Sequence, residues 1–135
     1  MPRPKLPPAK DWRSRDIKDW NAVTFRAYIV NQHHLIFNSK YFTNSIQAEN
    51  ANIKRMYEEF GKEVTKVFID ICFQNFKPRP PYRGVSFMFC FSYLRSKYLP
   101  LAINQVEQQI EQEKHQQASL NRINEDEIQN KINLF

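Results

Sequence analysis

Between Lys77 and Lys97 lie five cations, Lys77, Arg79, Arg83, Arg95 and Lys97, and no acidic residue. Tyr82 stands between two of the arginines, in a stretch stiffened by Pro78, Pro80 and Pro81. Cations pair with phosphates, and a planar side chain beside them can stack on a base, so this segment has the composition of a nucleic-acid surface. Ser86 follows as a helix cap, and the backbone N–H groups near Ser86-Phe87 would add donors for a phosphate. A second source of positive charge lies in Arg3, Lys5, Lys10, Arg13 and Arg15, on a proline-rich segment that could reach along a groove. The nucleic-acid-binding residues expected are therefore Lys77, Arg79, Tyr82, Arg83, Arg95, Lys97, Arg13 and Arg15. The competing reading is that the prolines and Tyr82 only pack a loop onto the core.

Other chemistry lacks its parts. Glycine occurs only at positions 61 and 84, which rules out the glycine-rich loops that cradle nucleotides. No HExxH, CxxC or GxSxG is present. His33 and His34 are adjacent, so on a helix they diverge by about 100° and do not converge on one metal. They and His115 read as solvated or locally hydrogen-bonded. Glu58 and Glu59 pair more simply with neighbouring lysines and arginines at helical spacing than with each other in a cleft. Cys72 and Cys90 sit in apolar surroundings and read as small buried hydrophobes in a reducing, cytoplasmic setting. No catalytic residue, cofactor or metal is assigned, and the longest unbroken apolar run, Phe87 to Phe91, is far short of a membrane span.

The bulk composition permits a folded core. Of 135 residues 41% are hydrophobic and 14% aromatic, unlike the aromatic-poor signature of disorder. The net charge of +6 is uneven: residues 1–100 hold 17 Lys and Arg against 8 Asp and Glu, residues 101–135 hold 3 against 6. A basic body with an acidic tail favours phosphate-rich or acidic partners.

The elements that must position these residues follow from periodicity. Residues 1–15 form an extended basic arm, because proline cannot sit in a helix interior. A first helix starts near Asp16 or Asp19, with Trp20, Val23, Thr24, Ala27 and Tyr28 on one face that Phe25 and Ile29 widen, and fades at Gln32 to His34. Residues 38–49 read as a loop pinned to the core by Tyr41 and Phe42. The strongest apolar rhythm, Ile53 to Asn75, reads as helices of about 50–60 and 62–76 split at Gly61, with one continuous helix as the alternative because the register survives across the glycine. Residues 77–84 are forbidden regular structure by their prolines. The helix after Ser86 is apolar on nearly all sides at its start, as a central buried helix would be. Pro100 breaks or kinks the chain, or opens a new helix. Leu101 to about Ala118 suits a helix with a thin apolar stripe at Ile103, Val106 and Ile110, and residues 106–135 form a polar helical or partly disordered tail.

The expected fold is all-α, a single compact domain of four to five helices over 16–105, between the basic arm and the tail. A helix-turn-helix or winged-helix-like arrangement and a plain bundle are both open. The helix bearing Trp20, Phe25 and Tyr28, the run IKRMYEEFGKEVTKVFID and the aromatic helix ending in YLRSKYLP resemble small accessory proteins of bacteriophages and plasmids. Their hosts are AT-rich Gram-positive bacteria, and the 22 Asn and Gln suit such a coding source. The resemblance implies an accessory role in DNA replication or transcription and carries over no functional residue. Three functions are then expected in turn: nucleic-acid binding, interaction with a replication or transcription protein, and assembly into oligomers through the C-terminal helix.

Overall fold

The structure, a computed structural model, describes residues 5–133. Arg3, one of the expected arm cations, lies outside them. Two short 3-10 turns, Trp12–Ser14 and Ile17–Asp19, lead into helices α1 (Ala22–Phe37), α2 (Ile46–Phe60) and α3 (Lys62–Asn75). A loop follows to the single turn α4 (Phe87–Phe89), a π-helical stretch Cys90–Leu94, and the long helix α5 (Arg95–Asn133). Among the described residues there is no strand, and the fold is all-α as expected. The chain divides into two units, Met1–Ile103 and Asn104–Phe135.

In the first unit the helix ends follow from local chemistry. Neither expected aspartate caps α1. Asn21 does, accepting from the Thr24 N–H at 3.1 Å while Thr24 Oγ1 accepts from the Asn21 N–H at 3.3 Å. Such a reciprocal cap satisfies two backbone donors that the first turn leaves free. The helix continues past the histidines and stops at Asn38, whose φ of 49° is left-handed. Ser45 caps α2 through the Ala48 N–H, so the helix begins inside the stretch expected as loop. Gly61, with φ 94° and ψ 156°, separates α2 from α3 in a conformation closed to residues with a Cβ, as the sequence anticipates.

Three helices bury one face each. Phe25 and Ile29 of α1, Ile53 and Met56 of α2, and Phe68, Ile69, Cys72 and Phe73 of α3 are all at most 1% exposed. Each such side chain contributes about 1.5–3 kcal/mol of burial. Of the face expected for the first helix, Trp20, Thr24, Phe25, Tyr28 and Ile29 are buried, and Val23, expected with them, is exposed. Phe87 and Cys90 close the core, but Phe89 and Tyr93 are exposed, so the helical stretch after Ser86 is open to solvent along one side rather than central. Pro100 neither ends nor begins a helix: it lies inside α5, which forgoes one backbone hydrogen bond there.

The arm is a larger departure. Residues Pro7 to Trp20 fold back on themselves instead of extending freely. Trp12 meets Tyr28 edge-on at 4.9 Å and Trp20 at 6.1 Å, and Trp20 Nε1 donates to the Arg15 carbonyl. The tryptophan supplies enough apolar surface to hold a segment that its prolines alone would leave extended.

The second unit is helical from Asn104 to Asn133. Ile110, Leu120, Ile123 and Ile128 are 42–58% exposed along it.

Candidate functional site

The segment 38–45 and the segment 76–86 face each other across a groove of about 690 Å³. The framework beneath it is a buried polar network that sequence reasoning did not single out. Glu49 of α2 is fully buried and accepts three hydrogen bonds, from Arg26 Nη1 at 3.0 Å, Tyr41 Oη at 2.7 Å and Thr43 Oγ1 at 2.8 Å. Tyr41 Oη in turn accepts from the Phe87 N–H at 2.8 Å. One carboxylate thereby ties α1, α2, the 38–45 loop and the start of α4 together. A buried charge is tolerable only when paired and hydrogen-bonded in this way. Burial, reinforced by the Glu49 charge, pushes the Tyr41 phenol far above its ordinary range, so it stays a neutral donor.

His33 fixes the floor. Its Nδ1 lies 3.0 Å from the Ser39 carbonyl, and a Cβ placed on Gly84 would fall 2.0 Å from its Nε2. Only glycine lets the second loop approach the ring so closely. His33 is thus buried and locally bonded, not solvated.

On this framework two aromatics are held out in solvent. Tyr41 and Phe42 point opposite ways, as neighbours in an extended segment do: Tyr41 is 8% exposed and Phe42 74%. The expectation that both pin the loop to the core therefore fails for Phe42. Tyr82 is also 74% exposed, at a turn closed by its N–H donating to the Arg79 carbonyl at 2.9 Å. Both line the groove together with Phe76 and Phe89, and Phe89 continues to Tyr93 at a ring separation of 5.0 Å. Lys40 and Arg83 line it too, and no Asp or Glu does.

Of the expected site residues, the structure brings Tyr82 and Arg83 to the groove. Lys77 and Arg79 are exposed on the same loop but outside the lining. Arg95 and Lys97 do not share a face, because residues two apart on an α-helix point about 200° apart. Arg95 stacks on Phe91 at 4.3 Å, whereas the Lys97 ammonium lies over the Tyr98 ring at 5.3 Å. Arg13 and Arg15 belong to the opposite end of α1: Arg13 stacks on Trp12 at 4.5 Å, and Arg15 donates to the carbonyls of Pro7 and Asp19. The phosphate donors expected near Ser86-Phe87 are also spent, the Phe87 N–H on Tyr41 and the Phe89 N–H on Ser86 Oγ.

Lys40, Phe42, Phe76 and Phe89 are the groove residues that sequence reasoning missed. For Lys40 and Phe42 a signal existed: a cation beside an aromatic pair in a segment too short and polar for both rings to be buried. Among the described residues three ion pairs form, Arg26–Glu49, Lys54–Glu58 and Lys66–Asp70. None uses a groove cation. Also among the described residues, no three His, Cys, Asp or Glu side chains gather as a metal site, and no helix is long and apolar enough to cross a membrane. No protein-family model, curated protein or solved structure matches this chain. The site therefore has to be read from its own geometry. It offers the cations Lys40 and Arg83 and the open rings of Phe42 and Tyr82 around one concavity.

Proposed function

We propose that this chain is a non-enzymatic nucleic-acid-binding protein, an accessory protein of phage or plasmid type, that holds its ligand in the groove between residues 38–45 and 76–86. The observation that carries the reading is the coincidence of unpaired Lys40 and Arg83 with exposed Phe42 and Tyr82 around one concavity without an acid. Cations there neutralise phosphates, and Lys77 and Arg79 extend the positive field along the loop. Glu49, which anchors the 38–45 loop, is buried against Arg26 and adds no exposed negative charge.

Electrophoretic mobility shifts with labelled DNA and RNA at rising salt test the proposal. Binding in low salt that weakens steeply as salt rises is the expected result. Absence of binding in low salt, or binding indifferent to salt, overturns it.

A second reading rests on the second unit, whose exposed Ile110, Leu120, Ile123 and Ile128 favour a protein contact, with a replication or transcription protein or between copies of the chain. Deleting residues 106–135 should then abolish partner capture while groove binding persists.

A further inference from the structure

We infer that the groove takes an unpaired strand, with its bases stacked on Phe42 and Tyr82 and its phosphates held by Lys40 and Arg83. This rests on the nucleic-acid reading above and names the form of nucleic acid the groove selects.

Three observations point away from a duplex. Phe42 and Tyr82 are each 74% exposed and Tyr93 72%, and large rings held this far out in water offer faces that paired, stacked bases cannot reach. Among the described residues, the two cations at the start of α5 make no basic face for a major groove: Arg95 and Lys97 diverge, Arg95 lying over Phe91 and Lys97 over Tyr98. The surface is concave, with loops on both sides, so it encloses a thin chain and meets a rigid rod only at its rims.

Two further observations specify how a strand lies. The rings come from opposing walls, Phe42 from the 38–45 segment and Tyr82 from the 76–86 segment, and both walls also bring a cation, Lys40 and Arg83. Each wall thus offers a phosphate contact beside a stacking surface, which matches the alternation of charge and base along a strand. The Phe89–Tyr93 pair continues the row of rings out of the groove. The walls are held in register by the Tyr41 to Phe87 bond and the His33 to Gly84 contact, so the strand meets a preformed surface. An acidic protein segment would use the cations but leave the two rings without a purpose.

The test is fluorescence anisotropy of the full chain with a labelled mixed-sequence oligonucleotide of about 12 nucleotides, a length typical of such grooves. The same oligonucleotide annealed to its complement is measured in the same salt. The single strand should bind at least about tenfold more tightly, and Phe42→Ala and Tyr82→Ala should each weaken it about 5–100-fold. Tyr82→Phe should retain binding, since it keeps the ring. Thermal melting of these variants should match the wild type, because both side chains are exposed. Equal or tighter duplex binding, or alanine variants with unchanged single-strand affinity, overturns this inference. If Arg83→Gln still weakens both forms in that case, the nucleic-acid reading stands. Failure of both forms to bind in low salt overturns the two together.

Discussion

Residues 5–15 and residues 77–86 share a composition of prolines, cations and one large aromatic, KLPPAKDWRSR in the first and KPRPPYRGVS in the second. In the first, the aromatic is turned inward. Trp12 packs on Tyr28 and Trp20, Arg13 lies on the Trp12 ring, and Arg15 is consumed by two backbone carbonyls. In the second the aromatic is turned outward, and Tyr82 and Arg83 border a groove with no carboxylate to neutralise them. The difference lies in what each segment finds on the helices beneath it. The N-terminal segment meets open aromatic surface at Trp20 and Tyr28 and fills it. The later segment meets a site already closed by Phe73, His33 and Tyr41, so Val85, and Phe87 just beyond the segment, go in and Tyr82 is left outside. A cation is available for a ligand only where the fold has not already used it.

The comparison breaks most severely at Glu49, on which the second segment's anchorage depends. Glu49→Ala strands Arg26, Tyr41 and Thr43 and should lower stability by about 3–5 kcal/mol in urea denaturation. The same bonds set an alkaline limit. Burial, and then hydrogen bonding to Asp70, raises the Tyr28 phenol as burial and Glu49 raise Tyr41. A tyrosine ionises near pH 10 in the unfolded chain but only above that in the fold. The stabilisation from both is thus fully present below about pH 10 and is lost as pH rises beyond it. Tyr41→Phe should flatten that decline, while its loss of two hydrogen bonds lowers stability at neutral pH.

Smaller effects sharpen the contrast. Gly84→Ala drives a methyl group into His33 and should cost about 1–3 kcal/mol in thermal melting, with the groove displaced. Arg15→Ala should cost about 1–2 kcal/mol for its two carbonyl bonds and leave oligonucleotide affinity intact. Arg83→Gln should do the reverse, with stability within about 0.5 kcal/mol of wild type and weakened binding. If Arg15 and Arg83 exchanged these behaviours, the division between a structural and a functional basic segment would be wrong.

Much of the fold was legible because its signals are local. Gly61 marked the α2–α3 junction, Ser86 the cap, and the Ile53 to Asn75 rhythm the buried faces, since all three follow from backbone geometry within a few residues. The start of α1 was misplaced because the aspartates at 16 and 19 are good caps by type, and the reciprocal Asn21–Thr24 bonds that won depend on both partners at once. The docking of the arm was hidden for a different reason. Trp12 and Tyr28 are 16 positions apart, and nothing in the string says that they touch. Half of the groove was visible, because Tyr82 and Arg83 are adjacent in sequence. The other wall was not, because Lys40 and Phe42 reach it only through a network centred on Glu49, a residue that looks like any surface glutamate.

That positive charge is available at the groove but committed to the fold at Arg13 and Arg15 is tested most directly by the salt dependence of single-strand affinity in point variants. Lys40→Gln and Arg83→Gln should each reduce the slope of log affinity against log salt by about 0.7, the release expected for one phosphate contact. Arg13→Gln should leave it unchanged. A slope indifferent to Lys40 and Arg83 but flattened by Arg13→Gln would contradict the account.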